Sequence, residues 1–384
     1  MPWSETTPMS ERMRFIWQLE SCEFTMTELC EAFGIARKTG YKWAQRYAEE
    51  GWEGLKDRSR APTQCPHRTE KRCEDQLVAW RRKHPSWGAR KLLSRLERRY
   101  PDWSWPAPST AGAILKLHGL VRSRPRRRSK PSSSKPEVVA RRPNDLWSAD
   151  FKGHFRTGDR RVCHPLTIAD RVSRYLLECR ARDSTSHDQA RPIFEAAFRE
   201  HGLPRAMLCD TGPPFGSGRA PRHLSRLAVW WIRLGIEPLY IEPGHPEQNG
   251  AHERMHRTLK AETARPPHRS FAAQQAAFHR FRREYNHERP HEALDFQMPA
   301  ELYRPSSRPF PRRLPAVEYP GHFEVRNVHS KGEIKWQGQR RFISEVLQGE
   351  RVGLEEIDDG RWSVYFCSRL LGRYDERNER LELL

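Results

Sequence analysis

Apolar residues recur at helical spacing through the first third of the chain and alternate at strand spacing through much of the rest. Residues 11–20 place Met13, Ile16, Trp17 and Leu19 along a first helix. A second follows from Thr27 to Phe33, with Thr27 at its N-cap, and Gly34-Ile35 turns the chain. Ala36 to Tyr47 forms a third, basic helix. A short helix, a glycine turn and a basic third helix predict a helix-turn-helix unit over residues 1–60. Its third helix would present Arg37, Lys38, Thr39 and Lys42 to a major groove. A plain three-helix bundle with a hydrated basic face carries the same stripe, but the charge lies where the groove would be.

A Gly-, Pro-, Arg- and Ser-rich break spans Gly51 to Pro66, and a second helical unit is expected over 67–121. Its helices run from Glu74 to His84, from Ala89 to Arg99 with Leu92, Leu93 and Leu96 as the stripe, and from Ser109 to Gly119. This reads as a second helix-turn-helix or winged-helix unit, with a simple bundle as the alternative. Residues 122–142 form a linker of Arg, Lys, Ser and Pro that includes Arg126, Arg127 and Arg128, with Glu137 its single acid. Such a segment has little to bury and suits contact with phosphates.

From residue 143 to 305 the pattern changes. Asn144 to Phe155 alternates as a strand does, and Val162–Ile168 and Ser173–Cys179 read as two more. A helix opening at Ser186, a short strand at Ala206–Asp210, a helix marked by Leu224, Leu227 and Trp231, and a strand over Ile236–Ile241 follow. A last helix runs from about Ser270 to Asn286. Hairpin strands mixed with crossover helices predict an α/β domain with a mixed sheet, in a multidomain chain. Residues 320–376 carry short alternating runs between glycine turns and suggest a small SH3-like β-barrel.

Charge narrows the partners. The 384 residues carry a net charge of +20, which favours a polyanion, with nucleic acid, double-stranded DNA included, the default partner. No apolar run is long enough for a membrane span, and Met1-Pro2-Trp3-Ser4-Glu5 does not open a signal peptide. A reducing cytoplasm is therefore expected, and eight scattered cysteines agree with it. Cys65, His67 and Cys73 match no common zinc spacing, so buried thiols are the better reading.

Three acids stand out in the α/β domain. Asp150 lies inside the first strand, where Asp is depleted. Asp210 ends the fourth strand. Glu253 follows a Pro/Gly loop, Pro243 to Gly250, and begins a stretch free of breakers until Pro266. On a helix, Glu253, Arg257 and Lys260 share one face. Each acid alone has an ordinary explanation: a turn former, a partner for Arg, an exposed salt bridge. Taken together, three carboxylates suit a pair of divalent cations acting on a phosphodiester.

The order of these motifs resembles the DDE transposases of bacterial insertion sequences, relatives of retroviral integrases. Trp147-Ser148-Ala149-Asp150 is similar to that family's first-strand motif, and Cys209-Asp210-Thr211-Gly212-Pro213-Pro214-Phe215 to its second. Pro246 through Arg254 resembles the glutamate motif, and Tyr285-Asn286-His287-Glu288-Arg289-Pro290-His291-Glu292-Ala293-Leu294 the tail that follows. The gap from Asp210 to Glu253 is longer than in the commonest members, and Gly216 to Pro221 accounts for the surplus. Glu247 is the rival acid; Glu253 is preferred because it follows the motif's glycine and lies on the helix. The resemblance implies an RNase H-like core and a two-metal site in which Asp150, Asp210 and Glu253 bind two Mg²⁺ or Mn²⁺ ions. It implies phosphate contacts at Arg257 and Lys260, and a protein acting in the bacterial cytoplasm, on the nucleoid, as a homo-oligomer that bridges element terminal repeats and target DNA. Lys152, His154, His252 and Arg289 are placed between DNA contact and packing. Two other functions remain open from sequence: a DNA-binding regulator that keeps the fold without the chemistry, and a metal-dependent nuclease that cuts without joining.

Overall fold

The computed structural model describes residues 6–58, 68–121, 140–218, 220–242, 245–377 and 380–383. Cys65, His67 and the basic linker at Arg126, Arg127 and Arg128 lie outside the described residues. The chain divides into two compact units, Met1–Arg68 and Thr69–Leu384.

The first unit holds three helices, α1 (Pro8–Glu20), α2 (Met26–Ala32) and α3 (Arg37–Glu50), closed by a 3-10 turn at Gly51–Leu55. The cap of α2 is Thr25, not the expected Thr27. The Glu28 carboxylate accepts from the Thr25 amide at 2.7 Å, and Thr25 Oγ1 accepts in return from the Glu28 amide at 3.4 Å. Gly34, at φ +62°, makes the turn into α3. Phe15, Ile16, Leu29, Cys30, Trp43 and Leu55 form the core. Met13 and Trp17 were expected on the buried stripe but are 39% and 70% exposed, because Phe15 and Ile16 are the positions that face α2 and α3. Gly40 lets α2 and α3 approach closely: a Cβ there would lie 2.6 Å from Cys30 Sγ.

The second unit begins with α4 (Lys71–Lys83), α5 (Ala89–Arg99) and α6 (Pro108–Leu117) around Leu77, Trp87, Leu92, Leu93, Leu96 and Leu115. The α/β part follows with β1 (Leu146–Phe151), β2 (Phe155–Arg156), β3 (Val162–Asp170), β4 (Leu176–Arg182), α7 (His187–His201) and β5 (Ala206–Cys209). Next come α8 (Arg226–Arg233), β6 (Glu237–Tyr240), α9 (Gly250–Thr263), α10 (Phe271–His287) and the short α11 (Pro299–Leu302). In the sheet, β1 is central: it pairs antiparallel with β3 and parallel with β5. Beyond them, β4 and β2 pair antiparallel with β3, and β6 runs parallel to β5.

Alternation along β1 and β3 sends their side chains to two helical layers. Trp147, Ala149, Leu166 and Ile168 face a core with Phe194 and Phe198 of α7 and Trp231 of α8. On the other face, Cys163, Leu176 and Cys179 meet Met255 and Leu259 of α9 and Phe278 and Phe281 of α10. A sheet covered on both faces needs apolar residues at nearly every central position.

The C-terminal part holds β7 (Glu324–Asn327), β8 (Glu333–Trp336), β9 (Gln339–Phe342), β10 (Arg351–Asp358), β11 (Arg361–Phe366), β12 (Arg369–Asp375) and β13 (Arg380–Leu383). The expected closed SH3-like barrel is replaced by an open antiparallel sheet, β13-β12-β11-β10-β7, and a separate β8–β9 hairpin. The physical reason is that the sheet's apolar face is already covered. Trp336 of the hairpin packs edge-on against Trp362 and Tyr374, each 5.0 Å away between ring centroids. Val352, Leu354, Val364 and Phe366 continue into the core that holds α8.

Polar bonds at buried positions tie α10 into this frame. Asn286, 1% exposed, accepts from the Leu176 amide at 2.8 Å and donates to the Leu176 carbonyl at 2.9 Å. Asn286→Ala leaves both backbone groups unpaired and is expected to lower stability by about 2–4 kcal/mol. Urea denaturation of the full chain checks this; an unchanged midpoint would refute it.

Candidate active site

Asp150 owes its position to the pairing of β1 with β5. Leu146, Trp147 and Ser148 pair with Ala206, Met207 and Leu208. Carried two residues past the paired segment, the same offset matches Asp150 with Asp210, whose charge reaches the Asp150 carboxyl. Alternation places Asp150 on the face of β1 that carries Ser148 and meets α9. Asp210 sits one residue past β5, where the Gly212 amide donates to its carboxylate at 3.2 Å.

Glu253 sits in the first turn of α9, exposed to solvent, where the helix N-terminus favours a carboxylate. Arg171 anchors the approach to that turn, donating to the Gln248 carbonyl at 3.0 Å and to Asn249 Oδ1 at 3.2 Å. The rival residue, Glu247, lies in the 3-10 turn Pro246–Asn249 ahead of the helix.

The electrostatics of Asp150 register all three acids. Burial raises its carboxyl to about 7, and the charges of Asp210 and, more weakly, Glu253 raise it too, while Lys152 opposes them. Asp210 is open by area, yet surrounding protein raises its carboxyl against the pull of the Gly212 amide. Asp170, at the end of β3, is a useful contrast. Its carboxylate accepts from the Asn144 and Ser173 amides and from Ser173 Oγ at 2.6–2.8 Å, so it is a structural acid. Asp150 has the Phe151 amide as a backbone donor, which pulls its carboxyl down against the burial. Its Oδ2 faces His256 Nδ1 at 3.4 Å.

Two histidines that share a face of α9 join it to the strands. His252 Nδ1 lies 2.8 Å from Ser148 Oγ, and its Nε2 2.7 Å from Thr167 Oγ1. His256 Nε2 lies 2.6 Å from the same Thr167 hydroxyl. Burial pushes the His252 imidazole down to about 3 and His256 well below its ordinary value, so both rings are neutral. Asp150, His252 and His256 bring one ligand atom each within 4.8 Å of one another. Sequence reasoning flagged His252 but missed His256 and Thr167; the signal was a pair of histidines four apart on the side of the helix that carries Met255 and Leu259.

Cations surround the acids. Arg257 and Lys260 are exposed on α9, and Lys260 lines a small cleft with Lys152 and His154. Arg289 lies away from solvent, 6% exposed, and pairs with Glu262 of α9 at 3.0 Å and with Ser86 at 3.3 Å. With His84–Glu284 at 2.8 Å and Arg98–Glu301 at 2.8 Å, it holds the α4–α6 helices against the α/β part. Its role in this fold is therefore structural. In the first unit, Arg37, Lys38 and Lys42 are exposed on α3 and Thr39 is half-buried; Lys42 Nζ lies 4.3 Å from the Trp43 ring centroid.

A mixed sheet with acids at the ends of two parallel strands, and a helix bringing a third, defines an integrase-type core. Family comparison agrees: integrase core domain families match residues 140–246 and 234–299. A helix-turn-helix domain matches 14–63, a homeodomain-like domain 39–115, and the C-terminal domain of the IS481 family transposases 323–382. An insertion element IS476 protein of Xanthomonas euvesicatoria is 29% identical over 232 residues, 59% of this chain and 63% of that protein. An IS407 protein of Burkholderia multivorans is 30% identical over 162 residues, 42% of this chain and 55% of that one. The chain thus spans rather more than half the length of these curated relatives. Among solved structures, a simian T-cell lymphotropic virus intasome covers 69% of this chain and 90% of its own, at 18% identity and a TM-score of 0.36. The catalytic core of BIV integrase covers 42% and 93%, at 19% identity and a TM-score of 0.32. The chain thus combines an integrase core, helix-turn-helix domains and an IS481-type transposase C-terminal domain, the make-up of an insertion-sequence DDE transposase. Among the described residues, no helix is long and apolar enough to cross a membrane.

The raised carboxyl of Asp150 makes a signed prediction. Between pH ~4 and ~7 the folded, metal-free protein keeps a proton that the unfolded chain releases, so this group costs stability as pH rises through that window. Asp150→Asn should therefore stabilise the metal-free protein at pH ~8 by about 2–4 kcal/mol, at about 1.4 kcal/mol per pKa unit, with the gain fading toward pH ~4. Denaturation of both proteins across that range in a chelating buffer measures it. A gain independent of pH would contradict the assignment.

Proposed function

We propose that this protein frees the 3′ ends of its own element and joins them to target DNA. The observation that carries the reading is the shared field of three carboxylates, in which Asp150 is raised by both Asp210 and Glu253. Like charges gathered at a half-buried point need a cation, and an all-oxygen donor set fits Mg²⁺ or Mn²⁺. Asp150, Asp210 and Glu253 would hold two such ions. So held, the ions would supply Lewis acidity for the attacking and leaving oxygens of an in-line displacement. Asp150 and Asp210, on rigid strand ends, fix the position; Glu253 closes the site from the helix. Water attacks the phosphorus at the element end and the 3′-oxygen leaves. That 3′-hydroxyl then attacks a target phosphodiester and expels the target's own 3′-oxygen.

The surrounding residues supply binding. Arg257 and Lys260 hold element-end phosphates, with Lys152 close to Asp150. Arg37, Lys38, Thr39 and Lys42 read the terminal repeat in a major groove. We assign the working parts as a helix-turn-helix domain at 1–60, a second such unit at 67–121, a basic linker at 122–142, the catalytic core at 143–305 and a small β domain at 320–376. Two DNA ends must be held at once, which favours a homo-oligomer on DNA in the bacterial cytoplasm.

A pre-cut duplex with a free 3′-hydroxyl end, mixed with target DNA and Mn²⁺, tests the chemistry. Joined product is expected from the wild type, and Asp150→Asn, Asp210→Asn or Glu253→Gln should each lower it at least about a hundredfold. Cleavage without joining would identify a nuclease; specific binding with neither would identify a regulator. For the helix-turn-helix, Arg37→Ala, Lys38→Ala and Lys42→Ala should each weaken binding to the terminal repeat. A substitution that removes a phosphate contact should also reduce the slope of log K against log salt by about one. Unchanged affinity in all three would place DNA recognition elsewhere.

A further inference from the structure

The polar chain beneath the acids has a direction, and that direction gives His256 a role. Thr167 Oγ1 stands between two imidazole nitrogens, His252 Nε2 at 2.7 Å and His256 Nε2 at 2.6 Å, and carries a single proton. The Asp150 carbonyl is a third, more distant acceptor at 3.2 Å. Each neutral imidazole carries one N–H. Few proton arrangements satisfy these counts, and for Asp150 the difference between them is what His256 Nδ1 presents to its Oδ2, 3.4 Å away.

If the Thr167 hydroxyl donates to His252, or to the Asp150 carbonyl, then His256 must carry its proton on Nε2. Its Nδ1 lone pair then faces the carboxylate, and an ionised Asp150 is repelled. If instead Thr167 donates to His256 Nε2, every group is served in one sense. Ser148 Oγ donates to His252 Nδ1, His252 Nε2–H to Thr167, and Thr167 O–H to His256 Nε2. His256 Nδ1 then carries the proton, 3.4 Å from Asp150 Oδ2. A carboxylate that holds a cation is ionised, so it selects this arrangement. The ring nitrogens that approach Ser148 and Thr167 are already paired there, so Ser148, His252, Thr167 and His256 form a hydrogen-bonded chain, with the Asp150 carboxylate 3.4 Å beyond its last ring nitrogen.

We propose that His256 is a positioning residue: its Nδ1–H orients the Asp150 carboxylate, and the Ser148–His252–Thr167 chain fixes the tautomer that makes this possible. The chain also runs from β1 and β3 into α9, the helix that carries Glu253. It therefore sets the two acids relative to each other through side chains buried at 0–3% exposure. This rests on the proposed metal-holding role of Asp150. Groups that orient a ligand in this way typically change metal affinity by about 10–100-fold when removed.

Two variants separate this role from packing. His256→Asn keeps a side-chain N–H donor where Nδ1 lies and loses the Thr167 partner. His256→Gln keeps the Thr167 partner and loses the donor to Asp150. The half-saturating Mn²⁺ concentration is read from the metal-induced rise in melting temperature of the full chain, independently of activity. His256→Gln should need about ten times more Mn²⁺ or beyond, and His256→Asn should stay within about threefold of wild type. The reverse order, or equal values, would overturn the proposal and leave His256 a packing residue. Should either variant fail to fold, the long-range ¹H–¹⁵N spectrum of histidine-labelled wild type with Mg²⁺ decides instead. Nδ1–H on His256 with Nε2–H on His252 supports the chain; Nε2–H on His256 refutes it. If Asp150→Asn leaves the Mn²⁺ response and strand joining intact, the functional reading itself has failed, which is a separate outcome.

Discussion

Parallel pairing of β1 with β5 brings two carboxylates side by side against their mutual repulsion. Sixty residues separate Asp150 from Asp210 along the chain, yet the register of Ser148 with Leu208 sets them level on neighbouring strands. Buried backbone groups must pair, and both faces of the strands are covered, so the register has no freedom to slip. The cost appears at Asp150, whose carboxyl is held near neutrality. In the proposed reading, a cation at the acids would relieve this cost, which would tie metal binding to the fold itself.

The helix α9 completes the arrangement and is itself held from two directions. Toward the sheet, His252 and His256 meet Ser148 and Thr167. At its C-terminal end, Glu262 is engaged by Arg289 and by Ser86 of the helical unit at 2.5 Å. Met255 and Leu259 fill the apolar space between these polar points. The outward face is left to Glu253, Arg257 and Lys260. One helix thus carries an exposed acid, two exposed cations and the buried anchors that fix all three.

Much of this was legible in the residues. The helices α3 and α5, the strand that holds Asp150 and the helix that holds Glu253 follow from periodicity and from Gly and Pro breaks. The motif order led to the family. Other features were not legible because they depend on partners distant in sequence. Thr25 and Thr27 are equally good caps by type, and only Glu28 three residues on from Thr25 distinguishes them. Trp17 looks like a core residue until the neighbouring helices leave it outside. The β7–β13 segment alternates as a barrel would, but whether a sheet closes depends on what covers its apolar face. Here Trp336 and the core beside α8 cover it.

Sequence alone determined which side chains could do chemistry: three acids of a type and order suited to divalent metal, a basic helix suited to DNA, and a charge that calls for a polyanion. Tertiary structure alone decided how those acids stand. Strand register sets Asp150 against Asp210, and a buried chain of hydroxyls and imidazoles brings α9 to them. It also turned Arg289, a cation by composition, into an internal clamp. The physical reason is that identity and period are local, while desolvation, repulsion and hydrogen-bond partnership arise only when residues far apart in the chain come within a few ångströms.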